Sequence, residues 1–317
     1  SKPITYELLA DIDRRISVRL LAEAEDAVAR LDARARYSPF RTPWMQRMLY
    51  GEACAASLVE GELVLVSDLV MFDQGGWNGG PREDLMRARQ SLLAWRRAVR
   101  ANAPRMLGEI QTDQLRPGGA DRASDLDRFW DEAWGAEDRL TAWHQAVELS
   151  RRLPPLLSAA IAWDAWMLLQ PDQIRSWKST LGAALVLKMR RKTSSCLLPL
   201  NTGWRFSSYR RMPHHSIVVR LNGFLEWSLK AAEHGNQMLE QMSRADCRLR
   251  VRLEGRRRNS RLGQLVEFFY ASPLVSIPAA ARKLGCSQQA ISGMLKELGS
   301  SIREVTERPH YRMWTLT

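Results

Sequence analysis

Apolar and polar residues recur with helical periodicity along most of the chain. In residues 4–36, apolar side chains return every three or four positions and charged residues fill the rest, which is typical of an amphipathic helix. Further helices are predicted after Pro43 and at 82–103, 124–151, 156–169, 173–191 and 215–243. The element formed by residues 62–73 is left undecided, because an apolar run this short is compatible with either a strand or a buried helix. The pattern predicts a mainly α fold.

The pattern changes in residues 276–298, which predict two short helices joined by a tight turn. Ser276 is suited to cap the first helix and Ser287 the second, while Gly285 permits the positive φ of the turn. Small Ala281, then Gly285, then Ile291 form the spacing of a DNA-binding helix-turn-helix. In that arrangement Ala281 has to be small where the helices cross, and Ile291 fills the angle between them.

Two strands are predicted after these helices. Residues 302–306 and 311–316 have strand composition, and the turn Glu307–Arg308–Pro309–His310 lies between them. Helix-turn-helix followed by such a hairpin indicates a winged helix-turn-helix. A small helical hairpin used for protein contacts is the competing interpretation.

Polar and basic side chains in this region are the candidate DNA contacts. The second helix presents residues suited to base edges or phosphates, and glutamine pairs with adenine through N6 and N7: Ser287, Gln288, Gln289, Ser292 and Lys296. The wing and the segment before the module supply candidates for the backbone or the minor groove: Arg308, His310, Arg312, Arg256, Arg257, Arg258 and Arg261.

Charge is unevenly distributed over the 317 residues, whose net charge is +12. Residues from Arg248 onward contain 13 Lys and Arg against 5 Asp and Glu, whereas the first 247 contain 34 against 30. Phosphate binding requires such a concentration of positive charge. We therefore expect an all-helical domain at 1–247, a basic linker at 248–261 that either follows DNA or is merely solvated, and the DNA-binding domain at 262–317.

Other chemistry is weakly indicated. The four cysteines are scattered, so neither a zinc site nor a disulfide framework is predicted, and no cofactor is expected. The apolar run 153–169 is too short and interrupted for a membrane span. The twelve tryptophans are interpreted mainly as core residues. The basic and aromatic segment 204–215 is interpreted as an amphipathic loop on the core, with base stacking or binding of an acidic partner as alternatives.

Three segments resemble the Fic family, whose members transfer nucleotide monophosphates. Residues 265–314 look like the winged helix-turn-helix at the end of many Fic proteins. ASLVEGE, residues 56–62, is similar to their inhibitory helix, with Ala56 in place of its leading Ser and Glu60 matching its glutamate. Residues 181–201 resemble their core helix. The Fic motif H-P-F-x-x-G-N-G-R is absent where residues 163–180 stand, so the resemblance implies a Fic-like helical domain and brings no catalytic residue.

The whole layout also resembles a group of bacterial proteins, known mainly from rhizobia, with a helical domain of unknown function before a helix-turn-helix. We expect a cytoplasmic, nucleoid-associated, sequence-specific regulator of transcription rather than an enzyme. Its helical domain would form a homodimer or bind a protein partner, because one recognition helix reads few base pairs. The alternatives are a diverged nucleotidyl transferase, and a regulator that senses a small effector in its helical domain.

Overall fold

The structure, a computed structural model, describes residues 15–77, 79–110, 135–171, 177–212, 214–253, 260–305 and 312–317. These residues are mostly helical and include one small antiparallel sheet. The helices are α1 (Val18–Tyr37), α2 (Arg41–Val59), α3 (Val66–Asp73), α4 (Glu83–Arg100), α5 (Ala103–Glu109), α6 (Ala136–Leu149), α7 (Pro155–Leu169), α8 (Trp177–Met189), α9 (Leu200–Phe206), α10 (Ile217–Leu253), α11 (Arg261–Ala271), α12 (Ile277–Leu284) and α13 (Gln288–Leu298). The strands are β1 (Val275–Ser276), β2 (Ile302–Glu304) and β3 (Met313–Leu316).

The chain forms two compact units, each built from two stretches of sequence. The first comprises Ser1–Ala29 with Arg97–Ala231, and the second Arg30–Arg96 with Ala232–Thr317. A helix that is apolar on every side has to be buried on every side. In the first unit, α7 and α8 are such helices, and they pack against each other at the centre.

Tryptophan indoles organise the core of the first unit. Trp143 is fully buried, donates its indole N–H to the Ala162 carbonyl at 2.7 Å and meets the ring of Trp166 edge to face. Gly182 lies against the same indole, where an added Cβ would come within 3.1 Å. The expectation that the tryptophans serve packing is confirmed for these two.

One buried ion pair stabilises the first unit. Asp164 is fully buried on α7 and accepts hydrogen bonds of 2.6 and 2.8 Å from the guanidinium of Arg220 on α10. Both carboxylate oxygens are engaged, as a buried charge requires.

Within the segment 204–215, interpreted as an amphipathic loop on the core, Ser207 to Tyr209 make the contacts with α10, whereas Phe206 and Met212 are exposed. The ring of Tyr209 lies against Gly223 of α10 so closely that a Cβ there would approach it to 2.2 Å. Glu226 accepts from the hydroxyl of Ser207 at 2.7 Å and from the amide of Ser208 at 2.9 Å. The Asn222-Gly223 pair therefore lies inside a helix. Glycine suits position 223 because the Tyr209 ring occupies the space that a side chain there would fill.

The second unit holds the helix-turn-helix together with α2, α3 and the later part of α10. Trp44 of α2 is fully buried and donates its indole N–H to the Gly235 carbonyl at 3.1 Å. Arg47 of α2 donates to two carbonyls of the α11 region, Phe269 at 2.7 Å and Ser272 at 2.9 Å. These hydrogen bonds join α2 to α10 and to the α11 region within the second unit.

Several expected elements differ in extent. Residues 62–73, left open between strand and helix, contain α3. The helix expected at 215–243 continues to Leu253, so residues 248–253 of the expected linker are helical. The start of the helix expected at 124–151, with its proposed cap Ser124, lies outside the described residues. Cys54 and Cys196 are buried, whereas Cys247 is exposed. In the described part of the chain, none of the helices is long and apolar enough to cross a bilayer.

Candidate nucleic-acid interface

The helix-turn-helix is built on side-chain caps and one left-handed glycine. The Ser276 hydroxyl accepts the Ala279 amide at 3.3 Å and starts α12, and the Ser287 hydroxyl accepts the Ala290 amide at 3.2 Å and starts α13. Gly285, which ends α12, has φ of 62°. Each cap satisfies an amide that has no partner within its helix. The predicted caps and turn are confirmed.

A small apolar seam fixes the angle between α12 and α13. Ala280, Ile291 and Leu298 are fully buried, and Leu284 and Leu295 are nearly so. Ala281, predicted to be the small residue where the helices cross, is half-buried, and its neighbour Ala280 is fully buried. The Ala281 carbonyl instead accepts the amides of Gly285 and Cys286 at the end of α12.

The opposite face of α13 is open. Ser287, Gln288, Gln289 and Lys296 are exposed, and Ser292 is half-buried. A helix enters the major groove only if such a polar face is free of its own fold. The arrangement is chemically suited to hydrogen bonding with base edges and phosphates.

A three-stranded antiparallel sheet completes the module, with strand order β1-β3-β2. Ile302 pairs with Leu316 and Glu304 with Trp314 across the wing hairpin, and Val275 of β1 pairs with Trp314 on the other side. Sequence reasoning missed β1, because two residues are too few to show an alternating pattern. The wing strands were predicted correctly but are shorter than expected.

Arg312, a candidate DNA contact, is engaged within the wing. Its guanidinium makes two hydrogen bonds to the carboxylate of Glu304 and lies over the ring of Trp314, 5.3 Å from the ring centroid. The hydrogen bond from Arg312 holds the pKa of the Glu304 carboxyl below its usual value. The charge of Arg312 is therefore partly neutralised, although its side chain stays exposed.

The remaining basic candidates are distributed as follows. Arg261 opens α11 and hydrogen-bonds to the Leu284 carbonyl at the end of α12 and to Gln264 at 3.2 Å. Arg303 on β2 is exposed and was not singled out from the sequence, although successive side chains of a strand point to opposite faces and Ile302 beside it is buried. Other candidates lie outside the described residues: Arg256, Arg257, Arg258, Arg308 and His310.

Comparison with known proteins agrees with this geometry. Residues 262–317 match the model of a family described as an HTH DNA binding domain. Residues 262–317 therefore fold as a helix-turn-helix with a small sheet and are similar to known DNA-binding domains. Residues 129–254 match a family described as a protein of unknown function (DUF1612). The order of the two domains is the one that the sequence resemblance implied.

A relative that is matched over nearly all of its own length supports the rhizobial resemblance. The chain is 27% identical to "Uncharacterized protein y4cF" of Sinorhizobium fredii (strain NBRC 101917 / NGR234), over 96% of this chain and 98% of that protein. Among solved structures it is similar to a Fic family protein from Desulfovibrio desulfuricans G20, at 14% identity and a TM-score of 0.48 over 95% of each chain. That TM-score is too low to carry a functional inference.

Proposed function

We propose that this protein is a sequence-specific DNA-binding regulator of transcription. The observation that carries the proposal is α13, whose polar face is exposed while its apolar face is buried against α12. A helix-turn-helix of this form places its second helix in the major groove. The concentration of basic residues after Arg248 supplies the sequence-independent attraction to phosphates.

Each basic and polar residue has a role in the proposal. Gln288 and Gln289 read adenines, while Ser287, Ser292 and Lys296 complete the contacts in the groove. Arg308 and His310 hold the backbone or the minor groove from the wing, and Arg312 joins them when it leaves Glu304. Additional phosphate contacts come from the segment that precedes the module: Arg256, Arg257, Arg258 and Arg261.

The active form in this proposal is a homodimer on a pseudo-palindromic site. One recognition helix contacts only a few base pairs, and two helices related by a two-fold axis double the length of sequence read. The protein acts at the nucleoid in the cytoplasm, and it does not act as an enzyme.

Selection of bound sequences from a random duplex pool with the full chain tests the proposal. The expected result is one enriched motif with two inverted half-sites about ten base pairs apart. An enriched motif without symmetry contradicts the dimer and leaves the DNA-binding function standing. A pool that remains random after repeated selection contradicts the function itself.

A further inference from the structure

A cavity of about 520 Å³ lies in the second compact unit, between α10 and the base of the wing. Its volume is in the usual range for sites that hold small organic molecules. One face of α10 forms its wall, because Met238, Met242 and Ala245 recur at helical spacing and all line it. Leu316 of β3 lines it from the wing.

Four arginines line the same cavity: Arg47, Arg244, Arg248 and Arg303. Arg244 pairs with Glu240 on its own helix, whereas no described carboxylate pairs with Arg248 or Arg303. Arg47 is largely desolvated, and burial lowers its pKa to about 10, so it stays charged at neutral pH. An anion in the cavity would offset the repulsion among these cations.

The apolar lining limits which anion suits the site. Met238 and Leu316 are half-buried and present apolar surface to the cavity, and inorganic phosphate would leave this surface without a partner. A ligand with a charged head and an apolar body contacts both parts of the lining.

The register of the wing separates this cavity from the proposed DNA contacts at the wing tip. Leu316 pairs with Ile302 at the open end of the hairpin, and Arg303 is the next residue of β2. From there β2 runs toward the tip as far as Glu304, which corresponds to about 7 Å of strand. The cavity therefore lies at the base of the wing rather than at its tip.

We propose that this cavity binds a small organic anion with an apolar body, a carboxylate or phosphate ester, whose charged head is held by Arg248 and Arg303. Such a ligand contacts α10 and both wing strands at once. As an addition that rests on the proposed function, the ligand changes affinity for DNA by favouring one position of the wing over others.

The binding test uses the full chain without DNA and the fluorescent anion anilinonaphthalene sulfonate. We expect the probe to bind, octanoate to displace it, and inorganic phosphate at equal concentration to leave it bound. Arg248→Ala and Arg303→Ala are each expected to weaken octanoate about tenfold, the usual effect of losing a charge-assisted hydrogen bond. Arg250→Ala is the matched control, because Arg250 is exposed on the same helix, bonds to Asp246 at 2.6 Å and does not line the cavity.

The outcomes separate the parts of the proposal. If both lining variants bind octanoate like the wild type, or if phosphate displaces the probe as well as octanoate does, the proposed site is wrong. DNA titrations with and without octanoate, on the sequence from the selection experiment, then test regulation. Unchanged affinity for DNA contradicts the coupling to the wing, and failure of the selection itself contradicts only the proposed function.

Discussion

Arg312 and Glu304 form an ion pair across the wing hairpin, with Nε of the arginine 2.7 Å from the carboxylate. Glu304 ends β2 and Arg312 directly precedes β3, and the guanidinium of Arg312 lies over the Trp314 ring. The pair keeps the arginine in place and competes with any phosphate for its charge. The positive charge that the wing can offer to a phosphate therefore depends on Glu304 as well as on Arg312.

Replacing Glu304 by Gln is expected to strengthen DNA binding and to increase its salt dependence. Release of Arg312 adds one phosphate contact, so the slope of log affinity against log salt steepens by about 0.9. Arg312→Ala in the wild-type background changes the slope little, and in the Glu304→Gln background it removes the gain. Fluorescence anisotropy at four salt concentrations measures both. Equal effects of Arg312→Ala in the two backgrounds would contradict the competition.

The double variant Gln288→Ala, Gln289→Ala is expected to relax base preference. Each glutamine that pairs with adenine discriminates against the wrong base by about 1–3 kcal/mol, and neither carries charge. Competition between the selected sequence and single-base variants shows the loss, while the salt slope stays the same. A uniform loss of affinity over all sequences would mean that α13 does not read bases.

Replacing Arg257 and Arg258 by Ala is expected to have the converse effect. Affinity falls on every sequence alike, and the salt slope flattens by about 0.9 for each lost phosphate contact. Ranking of the base variants is unchanged. Salt titrations on the selected and on an unrelated duplex provide the measurement. If affinity and salt slope are the same as in the wild type, this segment is a solvated linker.

Two glycines of the helix-turn-helix predict opposite effects of alanine. Gly285 has φ of +62°, where alanine costs about 1 kcal/mol. Gly293 lies inside α13 with nothing within 4 Å of an added Cβ, so alanine there raises the free energy of unfolding by about 0.5–1 kcal/mol. Urea unfolding of the free protein measures both. Equal effects would mean that the turn is not built on a left-handed residue.

Asp164→Asn is expected to destabilise the first unit by about 3–5 kcal/mol, because it removes the carboxylate charge that faces the buried Arg220 guanidinium. Glu240→Gln is the control: it breaks the exposed pair with Arg244 and should cost no more than about 0.5 kcal/mol. Urea unfolding compares the two. Similar small effects would show that Arg220 is hydrated in solution.

Local signals in the sequence predicted the helix-turn-helix well. Ser276, Ser287 and Gly285 act through neighbours within four residues, so their roles can be predicted without a fold. The packing of the apolar seam between α12 and α13 was harder to predict, because Ala280 and Ala281 differ by only one position on a short helix. Helical periodicity likewise located α10 but not its end, since the alternation of Arg with Leu and Val at 248–253 resembles a strand or linker.

Contacts between distant residues left no such signal. The pairing of Arg312 with Glu304 depends on strand register, and the hydrogen bonds from Arg47 to Phe269 and Ser272 join residues more than 200 positions apart. The arginine-lined cavity has the same origin: α2, α10 and the wing contribute to it from widely separated parts of the sequence. The local sequence pattern determines none of these contacts.

The contacts that α2 makes with α11 bear on whether the DNA-binding module can be produced without the rest of the chain. Phe40 packs its ring 5.2 Å from that of Tyr270, and Arg47 occupies two carbonyls beside it. A fragment cut at residue 262 would lose these partners and expose the face of α11 that they cover. We therefore expect the isolated module to be less stable than the same module supplied with the α2 segment.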